Sequence, residues 1–521
     1  MPRSERRLSH HAGGVHEGVH RAGRRAAGLG RRGDGEPGYI LVTFALLLVP
    51  LLLMVGLAVD VGSWYNRASD LQKASDAAAL AGVVWLPDTA SARTAALAAA
   101  ERNGFKHGVD GVTVQVEAVP SHNRRLRVTI KDPQVSSFLY RNIGGSTIAL
   151  TRKGTAEYVL PVPLGSPQNT FGGNAYSDPS VPAANQANLW GNIHGPRTDN
   201  VKGDAYSPLC RNADNCTGQS NTAHRSTGYL YAIDVPDNVS GLDMQIFDAG
   251  LYDRGSNEAV ETGDRKYTNV GTTTTTWTFY DRDGSELDVN DNPKAASTGL
   301  CSTGTGTWEL AEGAGAATYR GLWSSICRRT GSITPGRYLL RVQTSGDGSS
   351  ANRYALRVLS NSSQKARISA YGDMSMYNNV AAGNAAFYLA EVDPVHKGKT
   401  LELSLYDPGE VTKVTGTTGN GTIQVLTPAG TVAASCGATT TSGTIASTLT
   451  PCEFQSAVGG TARFNGAWVT LQIPIPTTYN CTLGTLPGCW WRIKYVIDGQ
   501  GNDTTTWAAQ VIGDPVHLVE E

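Results

Sequence analysis

The strongest formal match to catalytic chemistry is His16-Glu17-Gly18-Val19-His20, the HExxH pattern in which two imidazoles one helical turn apart bind zinc and the glutamate serves as base. That pattern works only on a helix. Gly13, Gly14, Gly18 and Gly23 disfavour one, and the surrounding segment has no apolar core to hold a third ligand. Histidine and glutamate in a compositionally biased tail, rich in glycine and histidine, produce the string by chance. Asp288-Val289-Asn290-Asp291-Asn292 opens like an EF-hand calcium loop, but Pro293 stands where glycine is needed and Gly299 where a bidentate glutamate closes the site. Asp281 and Asp283 read as solvated turn residues. There is no GxSxG, no Walker loop and no GxGxxG after a strand. Serine, histidine and aspartate occur, yet no spacing orders them into a triad. The sequence therefore assigns no catalytic, cofactor-binding or metal-ligating residue, and no enzyme is expected.

The elements that would position any site follow from composition. Of 521 residues, 17% are charged and 60 are glycine, which suits short strands joined by many turns. Lys+Arg 44 against Asp+Glu 45 leaves a net charge of -1, no electrostatic footprint for nucleic acid. The charge is uneven, however. Residues 1–38 hold eight arginines against four acids and almost no large apolar side chain, so they read as a disordered basic cytoplasmic tail. Tyr39 to Val59 then runs 21 residues without a charge, enough to cross a hydrocarbon core of about 30 Å. Pro50 is expected to kink this transmembrane helix without breaking it. A cleaved secretory signal is the nearer competitor, but the stretch is too long for its apolar region and no small-x-small site precedes Asp60. With arginine on the amino side, the positive-inside rule places the amino terminus in the cytoplasm and everything after Asp60 outside. All eight cysteines lie after the span, which favours disulfides over zinc. Eight cysteines allow 105 pairings; sequence neighbours give Cys210 with Cys216, Cys301 with Cys327, Cys436 with Cys452, and Cys481 with Cys489.

Beyond Asp60 the helical period continues through Val61, Trp64, Ala68, Leu71, Ser75, Ala78 and Gly82. Asp88 or Thr89 can cap a second, alanine-rich helix that Gly104 ends. Val112 to Val119 and Arg124 to Ile130 alternate as a β-hairpin, then an amphipathic piece containing Phe138-Leu139-Tyr140 precedes a strand ending near Val159. These features form a small α/β unit over residues 60–159. Phe44-Ala45-Leu46, Ala58-Val59-Asp60-Val61-Gly62, Leu71-Gln72 and Asp76-Ala77-Ala78-Ala79-Leu80-Ala81-Gly82 resemble the TadG-like proteins of the Flp/Tad pilus machinery. The resemblance covers about residues 38–159. It implies a single-pass membrane protein linked to pilus assembly or present as a minor pilin-like surface component, with other Tad/Flp components or membrane helices and the lipid bilayer as partners. Gly38 is followed by Thr43 where prepilin peptidases favour glutamate, so the span is expected to be retained. The likeness does not extend to a von Willebrand type A domain: Asp347-Gly348-Ser349-Ser350-Ala351 lacks the last serine of DxSxS.

Residues 160–223 are rich in Pro, Asn, Gly and Ser and read as a loop-rich linker. After them the chain repeats itself. GYLYAIDVP (228–236) echoes AFYLAEVDP (386–394), MQIFDAG (244–250) echoes LSLYDPG (403–409), and WTFYDRDG (277–284) takes the place of IQVLTPAG (423–430). RYLLRV and NRYALRV (337–342, 352–358) then line up with WVTLQI and WRIKYVI (468–473, 491–497), and Cys301 and Cys327 with Cys436 and Cys452. Two copies of one β-sandwich, over 224–360 and 361–521, are expected, with Trp277, Trp468 and Trp491 in their cores. YLLRV and FYDRDG loosely resemble sandwiches of the pre-peptidase C-terminal type. The fold class is thus α+β and membrane-anchored: an N-terminal pilin-like transmembrane helix, a small α/β domain and two all-β sandwiches. The alternative function is a membrane-tethered extracellular adhesin whose sandwiches hold a cell-surface ligand.

Overall fold

A computed structural model describes residues 39–86, 88–119, 124–138, 147–158, 161–173, 188–207, 225, 227–252, 262–268, 271–283, 289–313, 316–361, 363, 365–380, 383–409, 411–412, 419–498, 500–513 and 516–519. Helix α1 spans Tyr39–Val83 without interruption, Pro50 included. At 1.5 Å per residue it is about 68 Å long. Its amino-terminal part is apolar all round, with mean hydropathy 2.7 over the most apolar 18 residues and only 6% of that window buried. Such a surface suits lipid rather than water. Helix α2, Thr89–Arg102, begins where Asp88 accepts hydrogen bonds from the backbone of Ala90 and Ser91 at 2.9 and 3.1 Å. The Ser91 side chain, together with these backbone bonds, holds the Asp88 carboxyl below its usual range.

Strands β1 (Thr113–Ala118), β2 (Arg125–Ser136) and β3 (Thr147–Tyr158) follow. The expected hairpin is present, with Val116 opposite Val128, but β2 runs six residues past Ile130. Pro133 lies past the part of β2 that β1 pairs, which ends at Lys131, so on that side proline's missing N–H costs no ladder bond. Leu71, Ala74, Ala78 and Ala79 of α1, Ala92, Ala96 and Ala99 of α2, and Leu126, Val128 and Ile130 of β2 share one core. Alanine dominates it, so backbones lie close.

The β-region comprises β4 (Pro163–Leu164), β5 (Thr170–Phe171), β6 (Asn188–His194), β7 (Tyr229–Val235), β8 (Ser240–Phe247), β9 (Arg265–Lys266), β10 (Thr273–Tyr280), β11 (Thr307–Ala311), β12 (Trp323–Ser332), β13 (Gly336–Gly346), β14 (Ser350–Leu359), β15 (Arg367–Tyr371), β16 (Asp373–Val380), β17 (Gly383–Glu391), β18 (Thr400–Tyr406), β19 (Val411–Thr412), β20 (Gly421–Leu426), β21 (Cys436–Thr440), β22 (Thr448–Leu449), β23 (Glu453–Val458), β24 (Thr461–Ala462), β25 (Trp468–Pro474), β26 (Trp490–Ile497), β27 (Gln500–Ile512) and β28 (Val516–Leu518). One eleven-stranded sheet has the order β11-β10-β13-β7-β15-β4-β17-β26-β20-β23-β24; a thirteen-stranded sheet follows β12-β8-β14-β6-β16-β27-β18-β25-β21-β22, with β5, β9 and β19 beside it. Their facing side chains form one sandwich-like core from Val162 to Ala509.

The duplication is visible in the pairing. β13 lies between β7 and β10 as β26 lies between β17 and β20, and β8 lies between β12 and β14 as β18 lies between β25 and β27. Asp248 and Asp407 both adopt left-handed backbone, with φ of 55° and 56°, and accept the N–H of Gly321 and Gly466 at 3.0 and 2.6 Å. Phe247 lies opposite Trp323 and Tyr406 opposite Trp468. This pairing corrects the last part of the sequence alignment. WVTLQI (β25) occupies the place of β12, RYLLRV (β13) corresponds to WRIKYVI (β26), and NRYALRV (β14) corresponds to β27. The error came from matching alternating apolar strings alone, which do not distinguish neighbouring strands. The disulfides are not equivalent either: Cys327 lies in β12, whereas Cys452 adjoins β23 of the other sheet.

Residues 160–223, expected as loop, supply β4 between β15 and β17 and β6 between β14 and β16. Both sheets are therefore continuous across the two copies. The last strand, β28, returns to β3, with Val516 opposite Tyr158. Trp277 and Trp491 are buried as expected, whereas Trp468 is only half-buried, 5.3 Å from Tyr406 and 6.3 Å from Tyr206. Cys301–Cys327, Cys436–Cys452 and Cys481–Cys489 are bonded as the nearest-neighbour pairing gave; Cys210 and Cys216 lie outside the described residues. Closing a loop of 26 residues restricts the unfolded chain enough to contribute about 3 kcal/mol. Replacing Cys301 and Cys327 together by serine should lower stability by about that amount, read as a shift of the denaturant midpoint at unchanged slope.

Candidate functional site

The string Asp76 to Gly82 acquires a physical meaning where α1 meets β3 and α2. Ala78 and Ala79 are fully buried. A Cβ added to Gly82 would lie 2.5 Å from Leu126 Cδ2 and 2.8 Å from the Ala92 carbonyl oxygen; one added to Gly154 of β3 would lie 2.5 Å from Asp76 Oδ1 and 2.7 Å from its backbone nitrogen. Both contacts need the missing side chain. Beside the second crossing, Gln72 Nε2 donates to the Lys153 carbonyl and to Asp76 Oδ1, each at 2.9 Å. Ser75 Oγ donates to the carbonyls of Leu71 at 2.8 Å and Arg152 at 3.3 Å. α1 thus caps edge carbonyls of β3 that lie beyond the reach of β28. Burial pushes the Asp76 carboxyl above its usual range, and the Gln72 bond partly offsets this. Further along, Arg67 Nε and Nη2 both donate to Asp132 Oδ2, at 2.9 and 2.7 Å, and its guanidinium lies 4.3 Å over the Phe105 ring. The arrangement holds a helix in place. It contains no nucleophile and no base poised over a cavity.

Nearer the apolar part, Asp60 is 1% exposed and accepts the backbone N–H of Phe138. The helix around it shows Leu57, Val59 and Val61 to the surroundings, each more than half exposed.

His16, Glu17, His20 and Asp288 lie outside the described residues. Among the described residues no three His, Cys, Asp or Glu side chains could share a metal. Asp281 accepts the N–H of Arg282. Asp347 accepts that of Thr272 at 3.1 Å and pairs with Arg197 at 3.6 Å; it ties a turn.

A cluster that sequence spacing did not reveal has the residue types of a hydrolase. Ser207 Oγ is 3.1 Å from His194 Nδ1, and Asp204 is close by. The connections differ from those of a triad, because Asp204 takes the backbone N–H of His194 at 3.1 Å and the Tyr229 hydroxyl at 2.6 Å rather than the imidazole. All three are buried. Burial pushes Asp204 up to about 6 and His194 well below its usual value, as expected of core polar groups.

Two cavities open on the eleven-stranded sheet, about 560 and 330 Å³, sharing Asp234, Arg337 and Arg367. The shared charges are paired: Arg337 holds Asp234 at 2.7 Å and Arg367 holds Glu391 at 2.7 Å. His396 lines the smaller cavity, which Arg124 and Glu157 of the α/β unit also line.

Comparison with known proteins decides what the first packed segment is. Residues 38–102 match the family model described as putative Flp pilus-assembly TadE/G-like. The TadE/G-like segment therefore covers α1 and α2, the two helices that meet at Gly82. No curated protein and no solved structure matches the chain, so the likeness of the later strands to pre-peptidase C-terminal sandwiches finds no support there.

If Gly82 and Gly154 are needed for close approach, Gly82→Val and Gly154→Val should each destabilise the packed α/β unit by about 1–3 kcal/mol, seen as faster proteolysis within residues 65–158 of the full chain in detergent. Burial, with Lys399, Arg124 and His517 adding to it against Asp393, pushes His396 down to about 4. The unfolded chain then binds more protons than the folded one between about pH 6.5 and 4. Stability should be fully retained above that window and fall through it on acidification, and His396→Asn should flatten the fall in denaturation series at stepped pH.

Proposed function

We propose that this chain is a non-enzymatic, single-pass membrane protein that takes part in the assembly of Flp/Tad-type pili, its amino terminus cytoplasmic and its β-region outside the membrane. The observation that carries this reading is the TadE/G-like match at residues 38–102, on the helix that is apolar and exposed in its first half and packed into a folded unit in its second. The eight arginines before Gly38 support the orientation. Partners would be other pilus-assembly components, reached through membrane helices or through the outer β-region.

A second reading, a tethered adhesin, draws on the two charged cavities of the eleven-stranded sheet as places for a surface ligand. Deleting the chain in a piliated parent separates the two. The assembly reading expects loss of pili, restored by the full chain but not by one whose residues 39–59 are replaced with a cleavable leader. Intact pili with lost surface attachment would favour the adhesin.

A further inference from the structure

Among the described residues, Ser136, Ser137 and Phe138 group with the apolar part of α1 as one compact unit, apart from the rest of the chain. Phe138 is 67% exposed, although its backbone is fixed: its N–H is donated to Asp60, the first charged residue after the 21-residue apolar run. If the apolar run crosses a bilayer, an exposed phenyl ring at that level would meet its headgroup zone. We propose that Phe138 is a second membrane contact, an aromatic anchor inserted into the bilayer interface at the carboxyl-side end of α1, with Asp60 as the residue that positions it. The inference rests on the reading of α1 as a membrane span.

Three physical points support a lipid surface as the occupant. A backbone N–H near hydrocarbon must be satisfied internally, and the Asp60 carboxylate does so, which accounts for an acid kept buried at the end of an apolar helix. A phenylalanine ring, like Trp and Leu on interfacial helices, gains by burying its apolar surface at the boundary between headgroups and acyl chains. The helix surface at the same level, Leu57, Val59 and Val61, is apolar and exposed, so the anchor continues a surface that already suits lipid. Together the span and the ring would fix the height of the helix in the bilayer and resist its rotation about its own axis.

The test is photo-crosslinking of the full chain in vesicles of phosphatidylcholine and phosphatidylglycerol, with a benzophenone amino acid at position 138 or, separately, at position 57. Lipid adducts at both positions are expected, and Asp60→Ala should lower the yield at 138 several-fold while leaving that at 57 unchanged. Lipid adducts at 57 with none at 138, or adducts at 138 to protein alone, would overturn the anchor and leave the span intact. An absence of lipid adducts at both positions would overturn the span and the anchor together. An unchanged yield at 138 in Asp60→Ala would remove Asp60 from the proposal.

Discussion

One unbroken helix has to satisfy two surroundings, and the rest of the molecule follows from that constraint. From Tyr39 to Val59 α1 carries apolar side chains on every face, whereas from Tyr65 to Val83 it buries one side against a sheet and a second helix. A helix can do both only if its second half is cut down to small residues where other backbones approach, because burying it with large side chains would hold α2 and β3 too far away to share a core. The Ala78-Ala79 pair, Gly82 and the opposing Gly154 meet that requirement. The TadE/G-like pattern is, in physical terms, a packing code for the contacts of α1 with α2 and β3.

The β-region behaves as one body. A duplicated sandwich would ordinarily divide at a boundary crossed by few contacts. Here β4 and β6, from the stretch before the first copy, are inserted between the copies in both sheets, so hydrogen bonding crosses the boundary twice. β28 then ties the end of the chain to β3. This arrangement leaves the two copies no boundary about which they could swing independently. The polar groups in its middle have the same consequence. Ser207, His194, Asp204 and Tyr229 are hydrogen-bonded to one another in the interior, and these directional bonds favour one packing although His194 Nε2 is left without a partner.

Much of this was legible in the sequence, for identifiable reasons. The span declared itself by the absence of charge, α2 by its Asp88 cap and alanine periodicity, and the hairpin by alternation. The three described disulfides close short loops between sequence neighbours. What escaped detection depended on contacts distant in sequence. β4 is two residues long, and β6 places Asn192 and His194 on buried positions where alternation predicts apolar side chains; their burial is possible because Ser375 and Ser207 lie across from them. The true match of β12 to β25 rests on Asp248 and Asp407 binding glycine N–H groups across the sheet, a feature no apolar pattern records. The Asp60 to Phe138 bond likewise joins residues 78 apart.

The account stands on a single crossing of the membrane with the β-region on the far side from the amino terminus. Protease added to right-side-out vesicles, with immunodetection of the segment after residue 160, tests this most directly. Rapid digestion of that segment in sealed vesicles, with the amino-terminal tail protected until lysis, is the predicted result. Protection of the carboxyl-terminal segment until the vesicles are broken would contradict it.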